Sequence, residues 1–180
     1  MMKAMKKILA FALAGVMALA LLTGCGTGGS ASHKSIAKAM ADCYNVHGPK
    51  TTITCTSSPE LDAKLQSLAA STGFETVVKA VYNSDNVTLS KIRSALSSNP
   101  ALSNKVVYLY CGKYDKDAGK QAINLNAHSA CINTYTSHTA PSLAAKRQIG
   151  LITTSCTDTN GKEVKVRFAV VVSEIPDATP

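Results

Sequence analysis

The chain has 180 residues and a formal net charge of +8, from 19 basic and 11 acidic residues. Its lysines are scattered along the sequence and no nucleic-acid-binding motif is present, so we expect no nucleic-acid partner. A modest positive charge is more typical of a face beside anionic lipid or cell-wall polymer. Tryptophan is absent and phenylalanine occurs only three times, which leaves few of the rings on which sugars stack.

The first segment is typical of a secretory signal peptide. Residues 1–7 hold three lysines and no acid, and residues 8–22 form an unbroken apolar run. A basic segment followed by an apolar stretch of about 15 residues fits a signal peptide, whereas a membrane-spanning helix needs about 20 apolar residues. We therefore expect residues 1–24 to be removed on export.

The residues at the end of this run are "LTGC", positions 22–25. This motif resembles the lipobox of bacterial lipoproteins, in which an aliphatic residue and two small residues precede a cysteine. The resemblance implies cleavage before Cys25, diacylation of the Cys25 thiol, and a mature chain that begins at the lipidated cysteine. Two acyl chains hold a protein stably at a bilayer. The expected location is the extracytoplasmic face of the cell membrane, with the lipid bilayer as a partner through Cys25.

The rest of the chain is expected to be one tethered domain. Residues 25–32 are rich in Gly and Ser, a composition typical of a flexible tether. Residues 33–180 have the length of a single ordinary domain.

Three amphipathic helices are predicted in the first half of this domain, over residues 33–48, 57–71 and 86–99. The second has the clearest signals, with Ser58 as N-cap, Pro59 at the first helical position and acids in the first turn. Residues 73–86 are ambiguous between a helix and a strand. Residues 121–141 allow no assignment.

Strands are predicted at residues 50–57, residues 105–111 and in a C-terminal hairpin around Asn160-Gly161, a strong turn signal. Pairing Thr159 with Lys162 would place one face of the hairpin in the core, with alternate residues from Val164 to Val172 beside Ser155, Thr153, Leu151 and Ile149. The other face, which carries Lys165 and Arg167, is polar near the turn and should be covered only at its far end. The expected fold class is α+β, with the N-terminal helices packed on one face of an antiparallel sheet that ends in the hairpin.

Five cysteines follow the lipobox. Disulfide bonds are the usual expectation in an exported protein, and an odd number leaves at least one cysteine outside them. One possible connectivity joins Cys43 to Cys55 and Cys111 to Cys156, which leaves Cys131 as a thiol outside both bonds. The alternative, known among anaerobes, is that no disulfide forms and all five act as small buried residues.

Two Cys/His arrangements could carry chemistry. Cys43 with His47, and His128 with Cys131, have donor types that zinc uses, although the spacing fits no zinc-finger pattern. A thiol- or metal-dependent enzyme would be centred on Cys131, His128 and His138, because a nucleophilic cysteine needs a nearby base.

No established catalytic motif is present. The sequence has no G-x-S-x-G, no Walker loop, no G-x-G-x-x-G and no H-E-x-x-H. We therefore favour a non-enzymatic binding or envelope-structural domain without a cofactor, whose partner would be an envelope protein or a cell-wall component.

Overall fold

The computed structural model describes residues 31–46, 52–96, 102, 105–132 and 145–174. Within these ranges the helices and strands, in chain order, are α1 (Ala31–Val46), β1 (Thr54–Ser57), α2 (Pro59–Ala69), α3 (Phe74–Tyr82), α4 (Asn86–Leu96), β2 (Lys105–Lys113), α5 (Ala118–Ala127), β3 (Ser129–Cys131), β4 (Lys146–Thr157) and β5 (Glu163–Glu174). They form an α+β domain, which confirms the predicted fold class. The ambiguous segment after residue 73 is the helix α3.

Local signals place the helices where the sequence predicts them. The Ser58 hydroxyl accepts a hydrogen bond from the Leu61 backbone N–H at 3.3 Å and so caps α2. Asp85 performs the same task for α4, since its carboxylate accepts from the backbone N–H groups of Val87 and Thr88. Capping satisfies donors that have no partner inside the helix. None of the helices in the described ranges is long and apolar enough to cross a bilayer.

The five strands form one sheet in the order β1-β4-β5-β2-β3. All neighbouring strands are antiparallel except β1, which joins the edge of β4 in parallel. The sheet is therefore mixed rather than purely antiparallel. The predicted C-terminal hairpin is present as β4 and β5, and β5 lies at the centre of the sheet.

Helices cover both faces of the sheet, so the prediction of helices on one face is wrong. One core contains apolar residues of α2, α3 and α4 with Val107, Leu109 and Phe168 of the sheet. The other core contains residues of α1 and α5 with Tyr110 and Leu151. The sheet is apolar on both faces because strands buried on both sides need apolar residues at successive positions.

The hairpin register also differs from the predicted one. Asp158 pairs with Lys162, and Gly161 occupies the left-handed region with φ +80°, which leaves a three-residue loop. Val172 consequently pairs with Gln148 rather than with Ile149. Because side chains alternate between faces, this one-residue shift moves every predicted partner on β4 to the opposite face. Ser155, Thr153, Leu151 and Ile149 therefore share a face with Lys165 and Arg167.

Candidate functional site

The face covered by α1 and α5 is apolar at one end and cationic at the other. Ala169 and Val171 of β5 are buried in the α1/α5 core. Two and four residues nearer the hairpin turn, the same face carries Arg167 and Lys165. The end distant from the turn is covered, as expected, but burial extends further toward the turn than the sequence predicts, as far as Arg167.

Arg167 is the most unusual residue of this region. It is only 6% exposed, and its buried Nε and Nη1 atoms have no hydrogen-bond partner among the described residues. Burial lowers the pKa of the guanidinium, and the nearby Tyr114 and Asp62 oppose that shift. An arginine remains protonated at neutral pH even so, so the fold contains a buried positive charge with unused donors.

Tyr114 brings Arg167 and Lys165 together. The Arg167 Cζ atom lies 5.0 Å from the centroid of the Tyr114 ring and the Lys165 Nζ atom lies 4.3 Å from it. The ring is positioned by its own backbone, because the Tyr114 N–H donates to the Lys165 carbonyl at 3.1 Å. Attraction of both cations to one ring keeps two positive charges on the same patch of surface.

Asp62 lies close enough to act electrostatically on Arg167, but its oxygens are engaged elsewhere. Its Oδ1 accepts from the Leu151 backbone N–H at 2.7 Å, and its Oδ2 lies 2.7 Å from His33 Nδ1. Leu151 needs this partner because β1 ends at Ser57, opposite Ile149, and leaves the edge of β4 unpaired beyond that point. Asp62 therefore satisfies a backbone donor at the sheet edge and does not form a direct ion pair with Arg167.

A shallow groove runs along the cationic end of the hairpin. Its volume is about 440 Å³ and it is lined by Thr153, Thr154, Ser155, Glu163 and Lys165. Thr153 is the direct cross-strand neighbour of Arg167, and Ser155 is that of Lys165. The groove thus combines hydroxyl groups with an ammonium group, and among the described residues that line it Glu163, at its turn end, is the one carboxylate.

A second arginine on this face, Arg147, supports the fold. Its Cζ atom lies 4.3 Å above the Tyr44 ring and 5.8 Å from the Tyr108 ring. Tyr44 belongs to α1 and Tyr108 to β2, so the stacked guanidinium connects the helix to the sheet. This arrangement closes the apolar core at the end opposite Arg167.

The proposed catalytic partners Cys131 and His128 lie on opposite faces of the sheet. The His128 ring stacks on Tyr82 of α3, with centroids 5.1 Å apart. Cys131 pairs with Tyr108 across β2 and β3, and Tyr108 packs on the α1/α5 side. Burial raises the pKa of the Cys131 thiol, which is the opposite of nucleophile activation. His138 lies outside the described residues.

The other predicted site residues are not joined by the structure. Cys25 and His47 lie outside the described residues. None of the five cysteines from Cys43 to Cys156 takes part in a disulfide bond, so neither Cys43–Cys55 nor Cys111–Cys156 is formed. Within the described part of the chain, no three His, Cys, Asp or Glu side chains come together as a metal site.

Burial accounts for the state of the most enclosed thiols. Burial is the main factor that raises the pKa of Cys55, to about 12, while Arg147 partly opposes the shift. Burial and the nearby Cys156 also raise the pKa of Cys111, which is fully enclosed. These thiols act as small apolar residues of the two cores, which matches the alternative without disulfide bonds.

The sequence predicts that Arg167 lies on the partly covered face of the hairpin, but it does not predict that the side chain is buried. The signal lies in the alternation of β5, where Lys165 and Arg167 are followed on the same face by Ala169 and Val171. The enclosure depends on Tyr114 and Gly112, the residues that bring the turn after β2 and the helix α5 against the strand. Neither contact is visible in the local sequence.

No model of a known protein family matches this sequence, and no curated protein and no solved structure is significantly similar to it. Function is therefore argued from the residues and their geometry.

Proposed function

We propose that the protein is a lipid-anchored lipoprotein on the extracytoplasmic face of the cell membrane, with a non-enzymatic domain that binds an envelope component. The observation that carries this proposal is the "LTGC" sequence at positions 22–25, directly after the apolar run of residues 8–22. The thiol of Cys25 would carry the lipid, and two acyl chains would hold the domain at the bilayer.

The position of α1 supports a binding surface close to the membrane. The helix begins at Ala31, only six residues after Cys25, and an extended chain of that length spans at most about 20 Å. His33, in the first turn of α1, contacts Asp62 at the sheet edge, on the side of the domain that carries Arg167. The cationic end of the hairpin, which carries Arg167 and Lys165, would therefore lie within reach of the envelope layer nearest the lipid.

The arrangement of the thiols favours binding over catalysis. Cys131 lies across the sheet from His128, and burial raises its pKa. A domain that binds its partner through the cationic face should retain that partner when Cys131 is replaced by serine. A thiol enzyme centred on Cys131 would instead lose its activity with the same substitution.

Cell fractionation of Cys25→Ala tests the anchor. We expect the unchanged protein in the membrane fraction, released by detergent and not by high salt, and Cys25→Ala in the fraction without membranes. Cys43→Ala is the matched control, since it removes a thiol outside the lipobox and should fractionate like the unchanged protein. Retention of Cys25→Ala at the membrane would refute the lipid anchor.

A further inference from the structure

Two of the three nitrogen atoms of the buried Arg167 guanidinium have no acceptor among the described residues. Nε and Nη1 together carry three N–H donors, and both atoms are enclosed without a partner. Buried N–H donors of a charged group are unfavourable when they have no acceptor. These donors therefore lower the stability of the fold unless another molecule supplies acceptors for them.

Asp62, the carboxylate that acts electrostatically on Arg167, does not accept hydrogen bonds from these donors. Both carboxylate oxygens of Asp62 are engaged elsewhere: one accepts a hydrogen bond from the Leu151 N–H, and the other contacts His33 Nδ1. The remaining neighbour, Tyr114, has its ring centroid 5.0 Å from the Arg167 Cζ atom and also makes a side-chain hydrogen bond to the guanidinium. That contact leaves Nε and Nη1 without an acceptor among the described residues.

The surroundings of Arg167 are those of an anion site. Lys165 adds a second positive charge on the same Tyr114 ring. Thr153 and Ser155, the direct cross-strand neighbours of Arg167 and Lys165, add hydroxyl groups that can donate. Several donors around one positive centre suit a tetrahedral oxyanion, whose oxygens can accept from all of them at once.

We propose that Arg167, with Lys165, Thr153 and Ser155, binds a phosphate group at the hairpin end of the α1/α5 face. This inference rests on the proposed function, in which the domain is a binding module held at a membrane. The phosphate can belong to a free phosphate ion or to the headgroup of an anionic lipid, because both present the same oxygens. Glu163, at the turn end of the groove, would disfavour anions bound further out than Lys165.

Thermal unfolding of the protein purified from membranes in an uncharged detergent tests the site. Inorganic phosphate should raise the melting temperature of the unchanged protein more than chloride at equal ionic strength. Arg167→Gln should weaken phosphate binding by at least about tenfold, since hydrogen bonds to a charged group are lost. Lys165→Gln should weaken it by a smaller factor, because Lys165 is exposed to solvent.

Lys91→Gln is the matched control. Lys91 is an exposed residue of α4, on the opposite side of the sheet, and its substitution changes the net charge equally. This variant should respond to phosphate like the unchanged protein. Without phosphate, Arg167→Gln should melt at or above the temperature of the unchanged protein, so a lost response cannot be mistaken for lost folding.

Lipid composition separates the two sources of phosphate. Micelles of the uncharged detergent are doped with phosphatidylglycerol or, as a control, with uncharged diacylglycerol. Stabilisation by phosphatidylglycerol beyond that by inorganic phosphate would assign the site to a lipid headgroup, and stabilisation by inorganic phosphate alone would assign it to a free phosphate ion.

Two outcomes would overturn the proposal: no response of the unchanged protein to either phosphate source, or an equal response of Arg167→Gln. A lipidated protein without a phosphate response would refute the phosphate site and leave the anchor in place. A phosphate response in a protein without lipid would support the phosphate site and refute the lipid anchor.

Discussion

Two glycines set how closely helices approach the sheet. A Cβ atom on Gly112 would overlap the backbone carbonyl of Asn124 in α5, and one on Gly150 would overlap Leu61 in α2. Both positions need glycine, because the space that a Cβ atom would occupy is filled by the Asn124 backbone at Gly112 and by Leu61 at Gly150. The approach of α5 at Gly112 matters for the candidate site, since Gly112 is the direct cross-strand neighbour of Arg167.

Gly112→Ala should therefore be destabilising. The added methyl group would force α5 away from the sheet, and overpacking of this kind lowers the free energy of unfolding by about 1–3 kcal/mol. Urea denaturation measures the loss. Gly119→Ala, in the first turn of α5, is the control, because the added Cβ atom would lie 3.4 Å from Asp117 Oδ1, close to an ordinary contact distance, and alanine favours the helix. Equal stability of Gly112→Ala and the unchanged protein would contradict the packing of α5 described above.

The cysteines should differ in their rates of alkylation. Cys43 is partly exposed, and burial together with the nearby Asp42 raises its pKa. Cys111 is fully enclosed and its pKa is also raised. Since the thiolate is the reactive form, iodoacetamide should modify Cys43 slowly near neutral pH and faster as the pH rises. Cys111 should remain protected until the protein unfolds.

Mass spectrometry after alkylation gives the number of thiols. With denaturant and without reductant, we expect all five cysteines from Cys43 to Cys156 to be modified. If one cysteine is modified before reduction and five after it, the protein contains two disulfide bonds, as in the connectivity considered from the sequence.

At the scale of the secondary-structure elements, the hairpin loop decides which residues share the cationic face. The Asp158 carboxylate accepts from the backbone N–H groups of Asn160 and Lys162, both at 2.9 Å. These two bonds hold the three-residue loop, and Gly161 closes it at φ +80°. The loop thereby fixes Thr153 opposite Arg167.

Gly161→Ala should weaken the hairpin without a clash, since no atom of the described part of the chain lies within 4 Å of the added Cβ atom. A left-handed backbone costs a residue with a Cβ atom roughly 1–2 kcal/mol. Gly161→Asn should cost less, because asparagine tolerates this conformation better. Thermal unfolding of the two variants compares them, and an alanine variant as stable as the unchanged protein would argue against the three-residue loop.

The elements show why some features were predictable and others were not. The helix α2 is specified by neighbouring residues, namely Ser58, Pro59 and an apolar stripe, so its position follows from the sequence. The hairpin is specified by Asn160-Gly161, but its register depends on hydrogen bonds that the Asp158 carboxylate accepts, which the dipeptide does not indicate. The second helical layer depends on α1 crossing to the opposite face and on α5, which lies in part within the stretch that allowed no assignment.

At the scale of the molecule, the sheet separates a large core under α2, α3 and α4 from a smaller one under α1 and α5. Arg147 and its tyrosines close one end of the smaller core, and Arg167 occupies the other end. The first arginine is stacked between structural elements, while the second has unpartnered donors beside a groove. Because of this contrast, the proposed binding site lies at the Arg167 end, which is also the end at which α1 begins.

The intact mass of the protein extracted from native membranes tests the proposed lipoprotein most directly. We expect a chain that begins at Cys25 and carries the additional mass of a lipid on that residue. A chain without that additional mass, or one that begins at another residue, would contradict it.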